Sequence, residues 1–545
     1  MNGYAIALIG LVIYLVFVLA GRWLGVWKRL GVSFYGPIMM LRTRRGSGSF
    51  RRVGSRKKFW RVYGWISVAV VVVCMVAMTV FLVWEVFAES SADVWSEEIN
   101  PDFPEAPAYV TITYVVSGLV VAVVAHEFAH GFLTTANDMR LESMGTLILL
   151  IPIGAFAEPN DSDLKSASEG ARMRLYSSGP GTNMLLAFVC LVFFIGMLAS
   201  SISPVQEGAI ITDITDNSPA DLFGIPAWCE ITYAGGLRVT NATDLMRQSF
   251  GNPGDPVKVS YFYAKKNIEL EVPGGIVITR VLDGPALNAG LTPGMIIASL
   301  NASTIPSVSE FTSIVENTTH EAPVNITVLK PGYDPVRGGE WFVVDESIKT
   351  IRLTSKWVYY YTHYPDRVRD EFMNQSLMGV SVSPFGVKAE DPDRYMNVIA
   401  RPLKNVDDKD ALFRDSMRFV TLPFVGYSPL TAPYTDLYEP AGPLSFLPQN
   451  LYWALFNFFY WAFWINFMLG LANALPALPM DGGYVLKDIL GGAAKWRGGR
   501  LTGLDKALGK RPVSETTVEG LVWVSSVIVA LLFLWLMIRQ VFGPL

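Results

Sequence analysis

The chain has 545 residues, of which 51% are hydrophobic, and its mean hydropathy is +0.33. This composition is too apolar for a water-soluble protein of this length and predicts a polytopic α-helical membrane protein with soluble parts. A formal net charge of −4 gives no reason to expect a nucleic-acid partner. Three widely separated cysteines exclude a disulfide framework and a paired-cysteine zinc site.

Six apolar segments are long enough to span a bilayer. They lie at about residues 3–21, 62–88, 109–134, 175–200, 450–476 and 518–542. The first segment lacks the basic start and the cleavage site of a secretory signal, so we interpret it as a retained helix.

Charged residues between these segments predict their orientation. Residues 22–61 carry twelve Lys or Arg and no acidic residue, which places this loop in the cytoplasm. A topogenic role explains these charges, and contact with anionic lipid headgroups is a second role open to them. Residues 89–108 carry six acidic residues and no basic one, as expected outside. The third segment therefore runs from outside to inside.

The motif His126-Glu127-x-x-His130 lies near the cytoplasmic end of the third segment. Helix positions four apart share a face, so both imidazoles point to one place, the spacing with which one helix binds zinc. Glu127 is placed to act on the attacking water. A charged residue at this depth costs roughly 2.5–3.5 kcal/mol, which favours a metal site over two histidines satisfied by their neighbours.

Two further features follow in the same half of the chain. Residues 145–157 are apolar but too short to span, and Pro152 interrupts them. They are interpreted as a re-entrant extended segment with an edge for an unwound substrate peptide, or alternatively as a simple interfacial loop. The motif Gly179-Pro180-x-x-Asn183 then opens the fourth segment and predicts close helix packing, with Asn183 hydrogen-bonded across the interface.

From about residue 204 to residue 447 the composition is that of a soluble protein, and an internal repeat appears. Residues 208–220 align without gaps with residues 274–286, and each copy predicts a strand, a turn, a short helix and a second strand. This pattern resembles the circularly permuted PDZ domain of bacterial and archaeal proteases. The second copy is the closer match, because Trp228 replaces a glycine in the first and leaves its peptide groove in doubt. Residues 356–447 form a module of unknown fold.

The second half of the candidate site ends the fifth segment as Asn473-x-x-Pro476-x-x-Pro479-x-Asp481. Two prolines three apart remove helix N–H donors, so the helix must break at membrane depth. Two imidazoles leave zinc one ligand short, and the Asp481 carboxylate completes a three-ligand open site. The alternative is a helix end with a stray aspartate. Because the fifth segment also runs from outside to inside, Asp481 reaches the side of the two histidines.

Together the three motifs, in this order, resemble the site-2 protease family of intramembrane zinc metalloproteases, which also carries PDZ domains between the halves of its core. The resemblance covers roughly residues 109–200 and 450–490. Ala129 and Met480 stand where the family often has Gly and Leu. The predicted organisation is two N-terminal helices with a basic loop (1–108), the first core half (109–203), two PDZ-like domains (204–272 and 273–355), the module (356–447), the second core half (448–490) and a basic loop with a last helix (491–545).

The resemblance implies one zinc ion per chain, held by His126, His130 and Asp481. It implies Glu127 as the general base and Asn473 as the group that holds the substrate backbone or the oxyanion, unless Asn473 only bonds a neighbouring helix. Packing support would come from four further residues: Gly179, Pro180, Asn183 and Pro476.

The implied substrates are transmembrane segments of single-pass proteins already trimmed by a site-1-type protease, with the PDZ domains gating access. The expected location is a lipid bilayer, the cell membrane, with several spans, an extracytoplasmic PDZ region and cytoplasmic basic loops.

Two other functions are compatible with parts of the sequence. A different membrane metallohydrolase would take its third ligand from a cytoplasmic Glu or His, but the remaining histidines, His320 and His363, lie in the outer region. A PDZ-bearing membrane scaffold would have a degenerate site. The intact set of His126, Glu127, His130 and Asp481 argues against a scaffold, because a degenerate site usually lacks one such residue. Fold analogy alone would not decide between these functions, and the site residues do.

Overall fold

A computed structural model describes residues 3–29, 32–35, 38–43, 47–87, 105–149, 151–320, 322–334, 340–400, 408–499 and 514–542. The chain divides into two compact units. The first, the membrane unit, comprises Met1–Asn100, Pro107–Met197 and Ala454–Leu545. The second, the insert, comprises Pro101–Ala106 and Leu198–Trp453.

Five helices of the described chain are long and apolar enough to cross a membrane. We call them spans 1 to 5: Lys57–Phe87, Ala108–Ala136, Glu169–Phe193, Gln449–Ala474 and Glu515–Phe542. The protein is therefore a polytopic membrane protein. The N-terminal helix runs over Gly3–Trp23. Its part Val12–Trp23 is apolar but shorter than the five spans. The number of six spans stays a prediction.

Local sequence explains where the spans begin and end. Ser168 caps span 3, because its side chain accepts a hydrogen bond from the backbone N–H of Ala171. Span 3 continues into a π-helical turn over Phe194–Ala199. Span 4 stops at Ala474, before the two prolines, and the chain becomes helical again at Asp481. This second helix, Asp481–Gly499, is called the aspartate helix. The predicted break is present, and the helix extends into the region 491–499, which the sequence assigned to a basic loop.

A four-stranded antiparallel sheet belongs to the membrane unit. Its strands are β1 (Val32–Tyr35), β2 (Ile38–Thr43), β3 (Leu141–Leu149) and β4 (Ile151–Pro159), in the order β1-β2-β3-β4. The predicted single extended segment at 145–157 is thus a hairpin, whose two strands satisfy each other's backbone groups.

The basic region at 22–61 is more than a connecting loop. It supplies β1 and β2, a short helix over Val26–Arg29, and a second helix, Ser47–Gly54, which we call the basic helix. Strand β2 pairs with β3 from Met39 to Thr43. The charge of this region predicts its side of the membrane but gives no indication that the region forms strands and helices.

Glycines bring the spans close together, as the small-residue motif of span 3 predicts. A Cβ placed on Gly181 of span 3 would lie 2.6 Å from the Cβ of Ser67 in span 1. A Cβ on Gly118 of span 2 would lie 3.2 Å from the carbonyl oxygen of Trp461 in span 4. Spans 1 and 3 and spans 2 and 4 therefore pack nearly backbone to backbone at these points.

The insert opens with β5 (Ile202–Pro204) and then contains two similar domains. The first repeat domain has β6 (Ala209–Ile214), β7 (Cys229–Ala234), β8 (Leu237–Arg238), β9 (Pro256–Tyr263), β10 (Lys266–Pro273) and helices Pro219–Leu222 and Ala242–Arg247. The second repeat domain has β11 (Ile276–Val281), β12 (Ile296–Leu300), β13 (Ser303–Thr304), β14 (Pro323–Asp334), β15 (Glu340–Arg352) and helices Pro285–Asn288 and Val308–Asn317. Each domain has its own apolar core.

One of the two outermost strands of each sheet comes from the module of unknown fold, residues 356–447. After the short pair β16 (Thr354–Ser355) and β17 (Ser376–Leu377), strand β18 (Val380–Pro384) pairs with β11 of the second repeat domain. Strand β19 (Val387–Glu390) pairs with β6 of the first. The predicted boundaries 204–272 and 273–355 omit these strands, so neither repeat domain is continuous in sequence.

A seven-residue repeat explains this arrangement. Met378-Gly379 and Phe385-Gly386 precede the two strands, and both glycines have a left-handed φ, of 86° and 85°. The Met378 carbonyl accepts a hydrogen bond from the N–H of Ala286, at the start of a repeat helix. The Phe385 carbonyl makes the equivalent bond in the first repeat domain. Both side chains are buried in their cores, so one short segment completes two sheets.

The rest of the module is mainly helical. Its α-helices are Lys356–His363, Pro392–Ala400 and Lys409–Thr421, and its 3-10 turns are Pro365–Arg367, Asp370–Asn374, Leu422–Val425, Tyr434–Leu437 and Gly442–Leu444. Strand β20 (Tyr438–Pro440) pairs with β5. Because the Tyr452 hydroxyl also donates to the Leu198 carbonyl at 2.6 Å, the two chain ends of the insert are held together.

Candidate active site

Three side chains from distant parts of the sequence converge in the membrane unit. The Nε2 atoms of His126 and His130, on one face of span 2, are 3.1 Å apart. Oδ2 of Asp481, the first residue of the aspartate helix, lies 3.1 Å from the former and 3.3 Å from the latter. Ligand atoms bonded to one tetrahedral zinc ion at about 2.0–2.1 Å are about 3.3 Å apart. The three predicted ligands therefore match a zinc site in both chemistry and spacing.

Span 3 holds the two imidazoles from behind. Nδ1 of His130 donates to the Leu175 carbonyl at 2.9 Å, which leaves Nε2 free to bind a metal. Nδ1 of His126 lies 3.1 Å from the carboxamide of Asn183, a fully buried side chain whose Oδ1 has no partner among the described residues. A half rotation of this carboxamide brings Oδ1 to Nδ1–H, so that the orphaned oxygen accepts and Nε2 of His126 is also free. Asn183 thus fits a role in orienting a ligand, beyond helix packing.

Gly179 of span 3 lies directly against the histidine pair. A Cβ at this position would lie 2.5 Å from Nε2 of His130 and would also clash with Nε2 of His126. No side chain fits here without displacing the imidazoles. Pro180, the next residue, is buried within the same helix, and its carbonyl faces Gly470 of span 4. At the Gly179-Pro180 pair, span 3 therefore lies in close contact with both the candidate ligands and span 4.

Glu127 is oriented by the sheet. One carboxylate oxygen accepts a hydrogen bond from the backbone N–H of Ala157 in β4, at 3.0 Å. Glu127 and the three candidate ligands line a cavity of about 310 Å³. The remaining lining residues are Ala157, Pro159, Leu175, Tyr176, Asn473 and Pro479. The candidate base, the candidate metal ligands and an outermost strand of the sheet thus meet at one cavity.

The proline strip between span 4 and the aspartate helix is held by span 5. The Ser525 hydroxyl donates to the Pro476 carbonyl at 2.7 Å, and the Ser526 hydroxyl accepts from the N–H of Leu478 at 2.8 Å. Pro476 itself is buried. The backbone groups freed by the two prolines are therefore partly satisfied within the protein.

Asn473 lines the cavity but forms no hydrogen bond with the candidate ligands in the described part of the chain. Its amide nitrogen donates to the Leu469 carbonyl, one turn back in span 4, at 3.0 Å. A carboxamide nitrogen carries two hydrogens, so one donor remains for a ligand in the cavity. The structure places Asn473 where it could serve a substrate and leaves its role as a prediction.

Four residues that sequence reasoning missed align the aspartate helix with span 3. Arg172 forms a bidentate ion pair with the buried carboxylate of Asp488, with 2.9 Å between Nε and Oδ1. Tyr176 and Tyr484 stack with ring centroids 4.7 Å apart. These two contacts lead along the paired helices to the site, because Gly179 lies seven residues after Arg172 and Asp481 lies seven residues before Asp488. This equal spacing is a sequence signal that a comparison of the two motifs would have revealed.

Comparison with known proteins agrees with this geometry. The family model for peptidase family M50 matches residues 114–500, which is more than half of the chain. A 166-residue match of 26% identity to an uncharacterized protein, MJ0971, of Methanocaldococcus jannaschii covers 29% of this chain and 43% of that protein. A 76-residue match of 41% identity to a probable periplasmic serine endoprotease DegP-like of Pseudomonas putida covers 14% of this chain and 16% of that protein.

The chain spans less than half the length of these individual relatives, whereas the family match extends over the whole candidate site. By that match the protein belongs to peptidase family M50, the site-2 protease family.

Proposed function

We propose that this protein is an intramembrane zinc metalloendopeptidase that cleaves transmembrane segments of membrane-tethered proteins. The observation that carries the proposal is the convergence of His126, His130 and Asp481, 3.1–3.3 Å apart, beside Glu127 and at the ends of membrane-spanning helices. A zinc ion held there supplies Lewis acidity toward the attacking water and the scissile carbonyl.

The chain's own residues have distinct tasks in this proposal. The Glu127 carboxylate, held in place by the Ala157 N–H, takes a proton from the attacking water and later delivers one to the leaving amine. Asn183 and the Leu175 carbonyl fix the orientation of the imidazoles. The free N–H of Asn473 is in reach of the carbonyl of a substrate backbone in the cavity.

An unwound substrate segment would pair with β4. This strand is one of the two outermost strands in the sheet order, and the N–H of its Ala157 donates to Glu127, so an added strand would pass the candidate base. The proline strip is a poorer edge, because span 5 already engages the Pro476 carbonyl and the Leu478 N–H.

The two repeat domains fit PDZ domains that gate access. Each ends in an outermost strand, β18 or β19, preceded by a left-handed glycine and contacted by a helix, Val308–Asn317 or Ala242–Arg247. Such an edge can receive the C-terminal end of an extended peptide, with backbone N–H groups of the glycine turn binding the carboxylate. A single-pass protein trimmed by a site-1-type protease has such a new end.

The charge pattern supports a sidedness for this arrangement. The basic residues of 22–61 lie in the cytoplasm, together with the candidate site, and the insert lies outside the cell membrane. A trimmed ectodomain would then meet the repeat domains first and the membrane site second.

The test is Glu127→Gln in the full chain, reconstituted in liposomes with a single-span substrate. Loss of the base should lower turnover by about 10²–10⁴-fold, while zinc content stays at the wild-type level. A matched control, Glu142→Gln, alters an exposed glutamate at the start of β3 and should leave turnover unchanged. Turnover retained by Glu127→Gln would contradict the proposal, and so would cleavage confined to soluble segments of the substrate.

A further inference from the structure

Basic side chains cluster where the basic helix leads into span 1. Arg51, Arg52, Arg56, Lys58 and Arg61 are all exposed, and none of them forms an ion pair within the described chain. Lys57, in contrast, pairs with Asp138 at 2.5 Å. We call these five residues the basic cluster. A positive-inside function needs only the charge of a loop, and does not require such residues to be gathered on a folded element.

Aromatic residues mark the depth of this cluster. The first turns of span 1 contain Phe59, Trp60, Tyr63 and Trp65, of which Phe59 and Trp65 are 59% and 47% exposed. Tyr and Trp collect at the headgroup level of membrane proteins. Of the apolar side chains that follow in span 1, several are exposed, as lipid-facing residues are, and others are buried against the protein. With span 1 in a bilayer, these aromatic residues would put the basic cluster at the level of the lipid phosphates.

The basic helix also contacts the helix that carries the candidate ligands. Phe50 is buried, with its ring centroid 5.3 Å from Phe128 and 5.0 Å from Phe132 of span 2. A Cβ on Gly131, the residue after His130, would lie 2.5 Å from the Phe50 ring. The Thr135 hydroxyl donates to the Phe50 carbonyl at 3.1 Å. The back of span 2 thus rests on the basic helix at the level of the site.

A second connection runs through the sheet. The basic helix follows β2, which pairs with β3, which pairs with β4. Strand β4 donates the N–H that orients Glu127. The position of the basic helix is therefore linked both to the histidine face of span 2 and to the candidate base.

We propose that the basic cluster binds the phosphate groups of anionic phospholipids and that this contact holds the basic helix against span 2, so that peptidase turnover depends on anionic lipid. Charge complementarity selects anionic phosphates, and the aromatic residues select headgroups of the bilayer as their source. The binding part stands on the basic cluster alone. The dependence of turnover rests on the proposed function.

The experiment reconstitutes the full chain in phosphatidylcholine liposomes with and without about 30 mol% phosphatidylglycerol, a content that gives a strong negative surface potential. Photoactivatable analogues of both lipids report binding through labelling of residues 47–65, and cleavage of a single-span substrate reports turnover. The test variant carries Arg51→Gln, Arg52→Gln and Arg56→Gln. The matched control carries lysine at the same three positions and keeps the charge.

In the wild type we expect preferential labelling by the phosphatidylglycerol analogue and turnover roughly fivefold higher with phosphatidylglycerol present. The glutamine variant should lose both preferences yet match the wild type in phosphatidylcholine, which shows that it is folded. The lysine variant should retain both. Phe50→Ala should keep the labelling and lose the lipid dependence of turnover.

Equal labelling by the two analogues in the wild type would overturn the proposal, whatever the turnover. So would inorganic phosphate that removes the labelling or replaces phosphatidylglycerol, because the ligand would then be a soluble anion. Preferential labelling with equal turnover in both liposomes would overturn the coupling to the site. A chain that labels as expected but cleaves no substrate in any liposome would instead count against the proposed function.

Discussion

Two regions of this protein hold carboxylates largely away from solvent in different surroundings: half-buried in the candidate active site and fully buried in strand β7 of the first repeat domain. At the site, Asp481 lies against two imidazoles and Glu127 accepts a backbone hydrogen bond. In β7, Glu230 is 1% exposed, and neither of its carboxylate oxygens has a partner among the described residues. The equivalent residue of the second repeat domain is Ile296, which is fully buried.

Burial alone therefore does not indicate that a carboxylate has a catalytic role. Desolvation raises the pKa of Glu230 to about 8, so this carboxyl is mostly neutral near neutral pH and serves as an isolated polar replacement for isoleucine. The site instead gathers several polar groups on one cavity and supports each with a second contact. The candidate active site is thus distinguished by polar groups that meet at one cavity and are each held by a second contact, rather than by burial. The following changes test that distinction.

The largest effect should follow from Gly179→Ala. The added methyl group meets both histidine Nε2 atoms, so we expect loss of zinc and a fall in turnover of about 10³-fold or more. Zinc content and turnover of the purified full chain are the measurements. Gly196→Ala, in the π-helical turn after span 3, adds the same methyl group where no atom lies within 4 Å and should leave both unchanged. Wild-type zinc in Gly179→Ala would contradict the close contact.

A smaller effect should come from the ion pair that aligns the aspartate helix. Asp488→Ala leaves Arg172 without its partner and frees the aspartate helix to shift, so zinc affinity should fall by about 10–100-fold, as for other groups that position metal ligands. Zinc titration measures the change. The exchanged pair Arg172→Asp with Asp488→Arg should recover part of the loss. If each single variant binds zinc normally, the ion pair is structural only.

A selective effect is expected from the glycine turns of the repeat domains. Gly379 and Gly386 have φ values that side chains rarely adopt, so Gly379→Val and Gly386→Val should distort the turn before β18 or β19. We expect weaker binding of a peptide with a free C-terminus, and altered preference between trimmed and untrimmed substrates. Cleavage of a bare transmembrane segment should stay within about twofold. Equal loss for every substrate would contradict separate roles in selection and chemistry.

The smallest effect on catalysis, and a clear one on stability, is predicted for Glu230→Gln. The folded-state pKa of about 8 lies above the ordinary value of 4.5, so the folded protein holds a proton that the unfolded chain has released. Stability therefore falls as pH rises through this window, on the order of 3 kcal/mol between about pH 5 and pH 7.5. Amide exchange of β7 in the full chain should show this trend in the wild type only, and the same trend in Glu230→Gln would contradict it.

The two regions also differ in how far the sequence predicted them. His126, His130 and Asp481 could be named in advance, because helix periodicity, proline chemistry and charge pattern each place a residue independently of the fold. The structure brings these residues together, and their catalytic roles remain predictions. Arg172 and Asp488 were not predicted, because a single ion pair between distant helices leaves no local pattern, and the matched spacing from Gly179 and Asp481 shows only when the two motifs are compared.

The insert was harder to predict for a topological reason. The repeat at an offset of 66 predicts the strand-helix-strand core of both repeat domains, but not β18 and β19, which join from a later segment. Pairing between distant strands is not encoded in local periodicity, and the seven-residue repeat around Gly379 and Gly386 is short. Likewise, residues 22–61 were interpreted from their basic charge alone, which does not predict the pairing of β2 with β3.

The most direct test of the account is a count of zinc ions per chain, by mass spectrometry of the purified full chain, in wild type and Asp481→Ala. An exposed aspartate on the short helix Asp161–Ser166 provides the matched control, Asp161→Ala. We predict about one zinc per chain in the wild type and the control, and far less in Asp481→Ala, because three ligands from two distant motifs form one site. Zinc unaffected by Asp481→Ala, or absent from the wild type, would contradict the account.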